Sequence, residues 1–184
     1  FMDTKKAILV VSFGTSHLET LKKNIEAVEN DIRNQFTDYE VRRAFTSNII
    51  MRKMKKEYEI QIDSVDEALT NLLNEGFEEV ICQPLHILNG FEFEKIKNSV
   101  YFFKSKFKKL KISLPLLSNY SDYDLLVKIL GEEFKVHEDS AIVFMGHGTE
   151  HFSDSAYAAL NYYFNINEYT NYFVGTVEGF PNID

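Results

Sequence analysis

The sequence alternates continuous apolar runs with segments of helical periodicity, and this alternation most constrains the fold. Residues 7–11 read Ala-Ile-Leu-Val-Val, the pattern of a strand buried on both faces of a parallel sheet. Gly14 follows, and between residues 18 and 35 apolar side chains recur at spacings of three and four, which forms one face of a helix. The chain therefore opens with a strand, a tight turn and a helix.

The same alternation continues to the end of the chain. Further strands are predicted at residues 40–45, 79–82, 111–114, 141–145 and 172–177, and further helices at 65–74, 91–107 and 123–134. Alternating strands and helices imply right-handed crossovers and a mostly parallel sheet. We therefore expect an α/β fold in which helices flank parallel sheets.

Two segments of the sequence resemble each other. Val11-Ser-Phe-Gly-Thr-Ser-His17 precedes one helix, and Met145-Gly-His-Gly-Thr-Glu-His151 precedes another, so that Phe13 corresponds to His147. We interpret this as a duplicated α/β half. The predicted domains are an N-terminal one at residues 1–138 and the beginning of a second, similar one at 139–184, which has two strands and is incomplete.

Composition excludes several classes of function. The 184 residues carry a net charge of −8, which opposes generic attraction to nucleic-acid phosphates or to anionic lipid. We expect neither a nucleic-acid nor a membrane partner, and an anionic ligand would need a local basic patch. Cys82 is the single cysteine, which excludes a cysteine-based zinc cluster and predicts a reducing, cytoplasmic location.

Ligands of a parallel sheet collect at the carboxyl ends of its strands, where loops converge and helices begin. This rule selects the loops at residues 12–17, 44–48, 83–90, 146–151 and 178–182. The side chains in them that could bind a metal or transfer a proton are His17, His86, His147, His151 and Glu178. For His17 and His151, near helix starts, a capping or surface role is the default. His86 is equally compatible with a cleft and with a hydrogen-bonded core position.

His147 lies between two glycines directly after a buried strand, so its ring can face a cleft with little steric cover. The alternative is that the glycines serve only the turn and the histidine caps a helix. Glu178 also follows a predicted strand; taken alone, it would be a solvated loop residue. If the two strands are neighbours, His147 and Glu178 form a candidate metal site.

A zinc peptidase is a competing interpretation. The string His147-Gly-Thr-Glu150-His151 fits the H-x-x-E-H pattern, in which two histidines one helical turn apart bind zinc. That chemistry needs both histidines on a formed helix, and Gly146 and Gly148 favour a turn instead. The peptidase therefore remains the less favoured alternative.

Five motifs, in order, resemble those of the anaerobic sirohydrochlorin cobalt chelatases, a family of class II tetrapyrrole chelatases. They are Leu9-Val-Val-Ser-Phe-Gly-Thr-Ser16, Arg43-Ala-Phe-Thr-Ser47, Leu85-His-Ile-Leu-Asn-Gly90 with Glu94-Lys-Ile96, Pro115-Leu-Leu-Ser118 and Val143-Phe-Met-Gly-His-Gly148. The resemblance spans nearly the whole chain. It implies a class II chelatase-like fold of two similar α/β domains with a tetrapyrrole cleft between them. It also implies ATP-independent insertion of Co²⁺ into sirohydrochlorin, a step of cobalamin biosynthesis.

The resemblance also implies a set of metal ligands. In that family a histidine in the Gly-His-Gly turn, a glutamate after the next strand and a second histidine further on bind the metal. The first two map onto His147 and Glu178, and the third has no counterpart before the sequence ends at Asp184. We therefore expect a sirohydrochlorin cobaltochelatase whose activity as this chain alone is open. The alternative is a tetrapyrrole- or metal-binding protein without turnover.

The donor set suits Co²⁺ but also Ni²⁺, Fe²⁺ or Zn²⁺. Insertion removes two pyrrole protons, and His147 is the candidate catalytic residue that accepts one. The predicted substrate-binding residues are Ser12, Phe13, Gly14, Thr15, Arg43, Ser47, Arg52, His86 and Gly146, with the two arginines suited to the eight substrate carboxylates. An incomplete second half would expose apolar surface, which weakly predicts a homo-oligomer.

Overall fold

The structure is a computed structural model that describes residues 4–183. Its strands are β1 (Lys6–Ser12), β2 (Glu40–Phe45), β3 (Glu79–Pro84), β4 (Lys109–Ile112), β5 (Ile142–Gly146) and β6 (Tyr172–Thr176). Its α-helices are α1 (Leu18–Thr20), α2 (Ala27–Gln35), α3 (Asn48–Tyr58), α4 (Val65–Asn74), α5 (Phe91–Phe103), α6 (Tyr120–Glu133) and α7 (Ser155–Ile166). A π-helical segment (Leu21–Glu26) joins α1 to α2, and 3₁₀ turns occupy Lys104–Lys106 and Phe152–Asp154. Among these described helices, none has the length and apolar character needed to span a bilayer.

The first compact unit comprises the residues up to His86 together with Glu92–Leu114. It contains a four-stranded parallel sheet in the order β2-β1-β3-β4. Strand β1 lies between β2 and β3, and its side chains from Ala7 to Val11 are buried, as expected of a central strand covered on both faces. From β1 the chain continues to β2 on one side of the sheet, and from β3 it continues to β4 on the other side. The direction of strand addition therefore reverses between β1 and β3, which are neighbours. Such a switch point opens a crevice at the carboxyl ends of the two strands.

Helices cover both faces of this sheet. One apolar cluster joins the sheet to α4 and α5 through side chains such as Leu69, Leu72 and Ile96, while a separate cluster is built around Phe45 and Met54. Helix α4 begins with a capping box, in which the Ser64 and Glu67 side chains each accept a hydrogen bond from the other residue's backbone N–H. The apolar periodicity that predicted this helix is therefore matched by a capped start and a buried face.

The second compact unit comprises Ile87–Phe91 and the chain from Pro115 onward. Strands β5 and β6 pair in parallel, and one face of this sheet packs on α6 and α7 around Val127, Leu160 and Phe164. The Phe144 and Phe164 rings stack with centroids 5.4 Å apart. The opposite face presents the exposed side chains of Val143, Met145 and Phe173, so the predicted exposure of apolar surface is confirmed. Homo-oligomer formation stays a prediction.

The contacts divide the chain near Leu114, and residues 115–138 pack with the second unit. The predicted domain boundary after residue 138 concerns where a repeated folding unit begins, and it stays a prediction. Helix α6 was correctly expected, but its apolar side chains, including Leu126 and Leu130, pack with the core around Phe164. Compact packing therefore starts earlier in the sequence than the repeated segment does.

The predicted elements are recovered with shifts at their ends. Helix α5 ends at Phe103, short of the predicted 107, because a 3₁₀ turn follows it. Strand β4 begins at Lys109 and not at 111, since Lys109 already pairs with Glu79 of β3. The sequence analysis gave no bounds for α3, which carries the exposed Lys53.

A buried ion pair ties β2 to α2. The Arg43 guanidinium donates from Nε and from a terminal nitrogen to the two Glu29 carboxylate oxygens, both at 2.6 Å. Glu29 is only 3% exposed. The hydrogen bond to Glu29 is the main reason why the pKa of Arg43 lies above its ordinary value. Arg43 therefore neutralises an acidic group that folding has removed from water.

Replacing Arg43 should cost much more stability than replacing an exposed ion-pair partner. Arg43→Met leaves the buried Glu29 carboxylate without its partner, so we expect the free energy of unfolding to fall by about 3 kcal/mol. The double variant Arg43→Met, Glu29→Met should regain most of that stability, because the buried carboxylate is removed as well. The control is Lys23→Met, which removes an exposed 2.6 Å pair with Glu19 and should cost less than about 1 kcal/mol. Urea unfolding measures all four proteins. Equal losses in the two single variants would contradict a structural role for the buried pair.

Candidate functional site

The structure brings His147 and Glu178 together at the carboxyl ends of β5 and β6. The register pairs Gly146 with Thr176, so each side chain follows the end of one of two neighbouring parallel strands. His147 Nε2 and Glu178 Oε2 are 3.2 Å apart, with side chains 78% and 67% exposed. Imidazole nitrogen and carboxylate oxygen thus converge in a position that a metal ion can reach from solvent.

Backbone hydrogen bonds hold these two loops together beyond the last strand residues. The Val177 N–H donates to the Gly146 carbonyl at 3.1 Å, and the Glu178 N–H donates to the His147 carbonyl at 2.8 Å. The pairing of β5 with β6 therefore continues to the two candidate ligands themselves. These bonds fix the backbones of the two candidate ligands next to each other.

Gly148 is required for this approach. Its φ of +87° lies in the left-handed region that side chains with a Cβ rarely adopt. A Cβ at this position would also clash with the backbone nitrogen of Gly179, in the loop that carries Glu178. The glycine after His147 therefore serves both the turn and the contact between loops, and the histidine ring remains exposed.

The zinc-peptidase alternative fails on geometry. Residues 147–150 form no helix, and His151 begins a 3₁₀ turn with its ring buried. The His151 Nδ1 atom accepts a hydrogen bond from the Ser153 N–H at 3.1 Å. His147 and His151 are therefore not placed one helical turn apart, and the expectation of a turn from Gly146 and Gly148 is confirmed.

The described residues provide two converging ligands at this centre. Across residues 4–183, no group of three or more His, Cys, Asp or Glu side chains is arranged to hold a metal ion. Metal binding by His147 and Glu178 stays a prediction.

The repeated turn in the sequence is also repeated in the structure. Thr15 Oγ1 accepts a hydrogen bond from the His17 N–H at 3.2 Å, and Thr149 Oγ1 accepts one from the His151 N–H at 3.1 Å. Gly14 has a φ of +99°, comparable with that of Gly148. The two segments are therefore the same structural turn, in which exposed Phe13 takes the place of His147.

A group of polar atoms lacks hydrogen-bond partners at the carboxyl edge of the first sheet. Among the described residues, the buried side-chain atoms without a partner are Ser12 Oγ, Thr46 Oγ1, Glu92 Oε2 and both ring nitrogens of His86. Ser12 and His86 lie at the switch point beside β1 and β3. Burial lowers the pKa of His86, which the nearby Glu92 carboxylate only partly offsets. A ligand that hydrogen-bonds these atoms would recover the cost of their desolvation.

The sequence analysis did not select Glu92. Its position as the second residue of α5, directly after the loop at 83–90, was the available signal. The Lys95 ammonium donates to Glu92 Oε1 at 2.6 Å. Although partial burial opposes ionisation, the pKa of Glu92 lies below its ordinary value, and the Lys95 hydrogen bond is the main favourable cause. Glu92 is thus a partly buried carboxylate that is stabilised by Lys95 and, more weakly, by the neighbouring Thr46 hydroxyl.

Three predicted substrate-binding residues make contacts within the protein itself. Arg43 is paired with Glu29, so it does not offer the free cation expected for a substrate carboxylate. The Ser47 hydroxyl accepts a hydrogen bond from the Ile50 N–H at 3.3 Å and caps α3. Gly146 packs so closely on the Tyr157 ring that a side chain there would clash. The partners of Arg43 and Gly146 are distant in the sequence, whereas the Ser47 contact with Ile50 is a local helix cap. Substrate binding by these three residues stays a prediction.

Arg52 remains accessible. Its Nε donates to the Asn48 carbonyl at 3.3 Å, and the side chain lines a surface groove of about 470 Å³ together with Lys55 and Ser64. The groove is open and lies on the first compact unit. Arg52 can therefore meet an anionic group without first breaking an ion pair.

Comparison with known proteins identifies the family. A family model described as "Cobalt chelatase (CbiK)" matches residues 6–184.

The chain belongs to the cobalt chelatase family.

It is 40% identical over 181 residues to the sirohydrochlorin cobaltochelatase of Salmonella typhimurium, covering 98% of this chain and 68% of the relative. It is 32% identical over 161 residues to the sirohydrochlorin cobaltochelatase CbiKC of Nitratidesulfovibrio vulgaris, covering 85% of this chain and 56% of the relative. Membership of the cobalt chelatase family confirms the resemblance that the five motifs indicated. The α/β fold with helices flanking parallel sheets is confirmed as well.

Protonation of His86 should destabilise the first unit. Its ordinary pKa is 6.5, and its folded-state pKa is lower because of burial. At lower pH the unfolded chain therefore binds a proton that the folded chain excludes, so the free energy of unfolding falls as pH drops through about 6.5 towards the folded-state pKa. Urea unfolding between about pH 7.5 and about pH 5.5 measures this, and His86→Gln should show a shallower fall than the wild type.

The matched control for this experiment is His137→Gln, because His137 is an exposed histidine. We expect its pH dependence to follow that of the wild type. If His86→Gln and His137→Gln gave parallel pH curves, burial of a neutral His86 would be contradicted.

Proposed function

We propose that this chain carries the metal-inserting site of a sirohydrochlorin cobaltochelatase, which places Co²⁺ in sirohydrochlorin without ATP. The observation that carries the proposal is the 3.2 Å approach of His147 Nε2 to Glu178 Oε2 at the ends of two paired parallel strands. Family membership supports it, since both relatives are named for this reaction.

The proposed chemistry begins with an exchange of partners. His147 Nε2 lies 3.2 Å from Glu178 Oε2, a distance that allows an ion pair when the imidazole is protonated. Binding of Co²⁺ needs the lone pair of Nε2, so any proton held at Nε2 must leave that atom as the ion enters. The exposure of both side chains provides the ion with access and the proton with an exit to water.

Insertion then transfers the ion and releases protons. Two pyrrole N–H protons must leave the macrocycle as Co–N bonds form to the nitrogens that carried them, and two further Co–N bonds form to the remaining nitrogens, which carry no proton. As Co²⁺ leaves the protein, Nε2 of His147 becomes free to accept one pyrrole proton, and the other passes to water. His147 is therefore proposed as ligand first and base second, with Glu178 holding the imidazolium that results.

Polar groups of the first unit are the proposed contacts for the substrate. Ser12, Thr15 and His86 line the carboxyl edge of the sheet, and Ser12 and His86 present unpartnered atoms there. Arg52 supplies an unpaired cation for a carboxylate of sirohydrochlorin, whereas Arg43 is taken up by Glu29. Phe13, Gly14 and Ser47 then act by shaping the loops around these groups, and Gly146 acts by shaping the loop that carries His147 in the second unit.

Two finer points belong to the proposal. Co²⁺ is the proposed metal, and the same donors would also take Ni²⁺, Fe²⁺ or Zn²⁺.

The cytoplasm is the proposed location, because Cys82 is buried and burial raises the pKa of its thiol to about 12, which leaves it inert and without a disulfide role.

The second candidate is a protein that binds tetrapyrrole or metal without turnover. The observation in its favour is that the described residues bring two ligands together, and no third. The chain also spans 68% and 56% of the two relatives. Binding of sirohydrochlorin with no acceleration of metallation would favour this candidate over the enzyme.

His147 and Glu178 should both be needed for metallation. A titration of sirohydrochlorin with Co²⁺ follows the loss of the metal-free absorption bands, and we expect His147→Ala and Glu178→Ala each to slow it by about 100-fold or more, as for loss of a group that handles protons. His137→Ala is the matched control, an exposed histidine of the same unit, and should retain the wild-type rate. A wild-type rate in His147→Ala would end the proposed mechanism.

A further inference from the structure

Asp154 connects the two loops that carry the candidate ligands. It ends the 3₁₀ turn before α7, and its carboxylate is partly buried. One oxygen accepts a hydrogen bond from the Thr149 N–H at 3.0 Å, and the other accepts one from the Phe180 N–H at 2.7 Å. A single side chain therefore holds two segments separated by about thirty residues of sequence.

The two N–H groups occupy equivalent places. Thr149 is two residues after His147, and Phe180 is two residues after Glu178. Each hydrogen bond to Asp154 fixes the backbone two residues after one candidate ligand. The hydrogen bond from the Glu178 N–H to the His147 carbonyl fixes the backbone at the candidate ligands themselves. The two loops are thus joined twice, first by this backbone bond and then, two residues later in each loop, by the Asp154 carboxylate.

Glycine packing supports a built contact. A Cβ at Gly179 would clash with Oδ1 of Asp154, so the loop lies directly against the carboxylate. Gly179 also lies directly against Gly148, because a Cβ at Gly148 would clash with the Gly179 backbone. The Asp154 carboxylate, Gly179 and Gly148 are therefore packed in sequence against one another, next to the residues His147 and Glu178.

Helix capping does not account for Asp154. The residue precedes Ser155, the first residue of α7, where an aspartate commonly accepts a hydrogen bond from the helix backbone. Here its side chain makes no cap hydrogen bond, and both oxygens are directed to the loops. The two oxygens of Asp154 are therefore used to hold the loops and not to cap the helix.

We infer that Asp154 is a positioning residue of the metal centre, whose carboxylate sets the separation of His147 and Glu178 by holding both of their loops. The inference rests on the proposed function, because it treats these two side chains as metal ligands. It goes beyond that function by assigning a role to a residue that never contacts the metal or the substrate. Groups that orient metal ligands typically change metal affinity by about 10-fold to 100-fold when they are removed.

The test is a Co²⁺ titration of the full chain without tetrapyrrole. Binding is monitored through the NMR signals of the His147 ring and of the Gly148 and Glu178 amides. Asp154→Asn keeps the size of the side chain but turns an NH₂ group towards one of the two N–H donors. We expect it to weaken Co²⁺ binding by about 10-fold to 100-fold. Asp124→Asn is the matched control, because Asp124 also bridges two partners in the second unit, Lys128 and Asn167, and it should bind Co²⁺ as the wild type does.

A double-variant cycle separates positioning from a general loss of stability. In a His147→Ala background the ligand pair is already broken, so adding Asp154→Asn should weaken the residual Co²⁺ binding little further. Amide hydrogen exchange provides a second readout, since Asp154→Asn should lose protection at Thr149 and Phe180. If Asp154→Asn does not fold, Gly179→Ala takes its place, because it leaves the carboxylate intact and displaces it from the loop.

The outcomes distinguish the inference from the function on which it rests. The positioning role is supported if Asp154→Asn weakens Co²⁺ binding in the wild-type background but causes no further weakening in the His147→Ala background. Wild-type affinity in Asp154→Asn, with affinity lost in His147→Ala, overturns the role of Asp154 and leaves the proposed function standing. Co²⁺ binding that is unchanged in His147→Ala overturns both.

Discussion

The parallel pairing of β5 with β6 is the constraint on which the candidate site depends. Parallel strands place their carboxyl ends at the same edge of a sheet, and the register of Gly146 with Thr176 makes the next residues neighbours. Two further backbone hydrogen bonds extend that register to His147 and Glu178. The ligands are thus positioned by the part of the protein that side-chain substitutions change least, and exposure of both side chains does not make their separation arbitrary.

Features that follow from local rules could be predicted from the sequence, and features that depend on a distant partner could not. The strand-end rule selected His147 and Glu178 because it needs only the order of strands, and the repeated turn at Gly14 and Gly148 was visible as repeated letters. The ion pair of Arg43 could not be predicted because its partner, Glu29, lies on another element, and substrate binding by Arg43 stays a prediction. Glu92 was missed because nothing in its sequence context shows that folding partly buries its carboxylate beside His86.

The two compact units present their polar groups in opposite ways. His147 and Glu178 are exposed, so a hydrated ion can exchange its water for protein ligands without crossing an apolar barrier. Ser12 and His86 instead hold buried atoms without partners at the edge of the first sheet. Each such atom costs about 1 to 3 kcal/mol of desolvation, which a hydrogen-bonding ligand returns on binding. The first arrangement favours rapid exchange of a small ion, and the second favours a larger ligand that brings its own hydrogen-bonding groups.

In the proposed mechanism, protons and metal ions compete for the same atom of His147. The Nε2 atom lies 3.2 Å from Glu178 Oε2, and the same atom must present its lone pair to bind Co²⁺. The two side chains are already close together before an ion arrives, so little ordering is left to be done. A proton held at Nε2 must leave when an ion binds, whereas a departing ion leaves behind an imidazole nitrogen that can accept one. Two candidate ligands within ion-pair distance of each other are therefore suited to passing an ion onward, because release restores a favourable contact instead of two unpartnered groups.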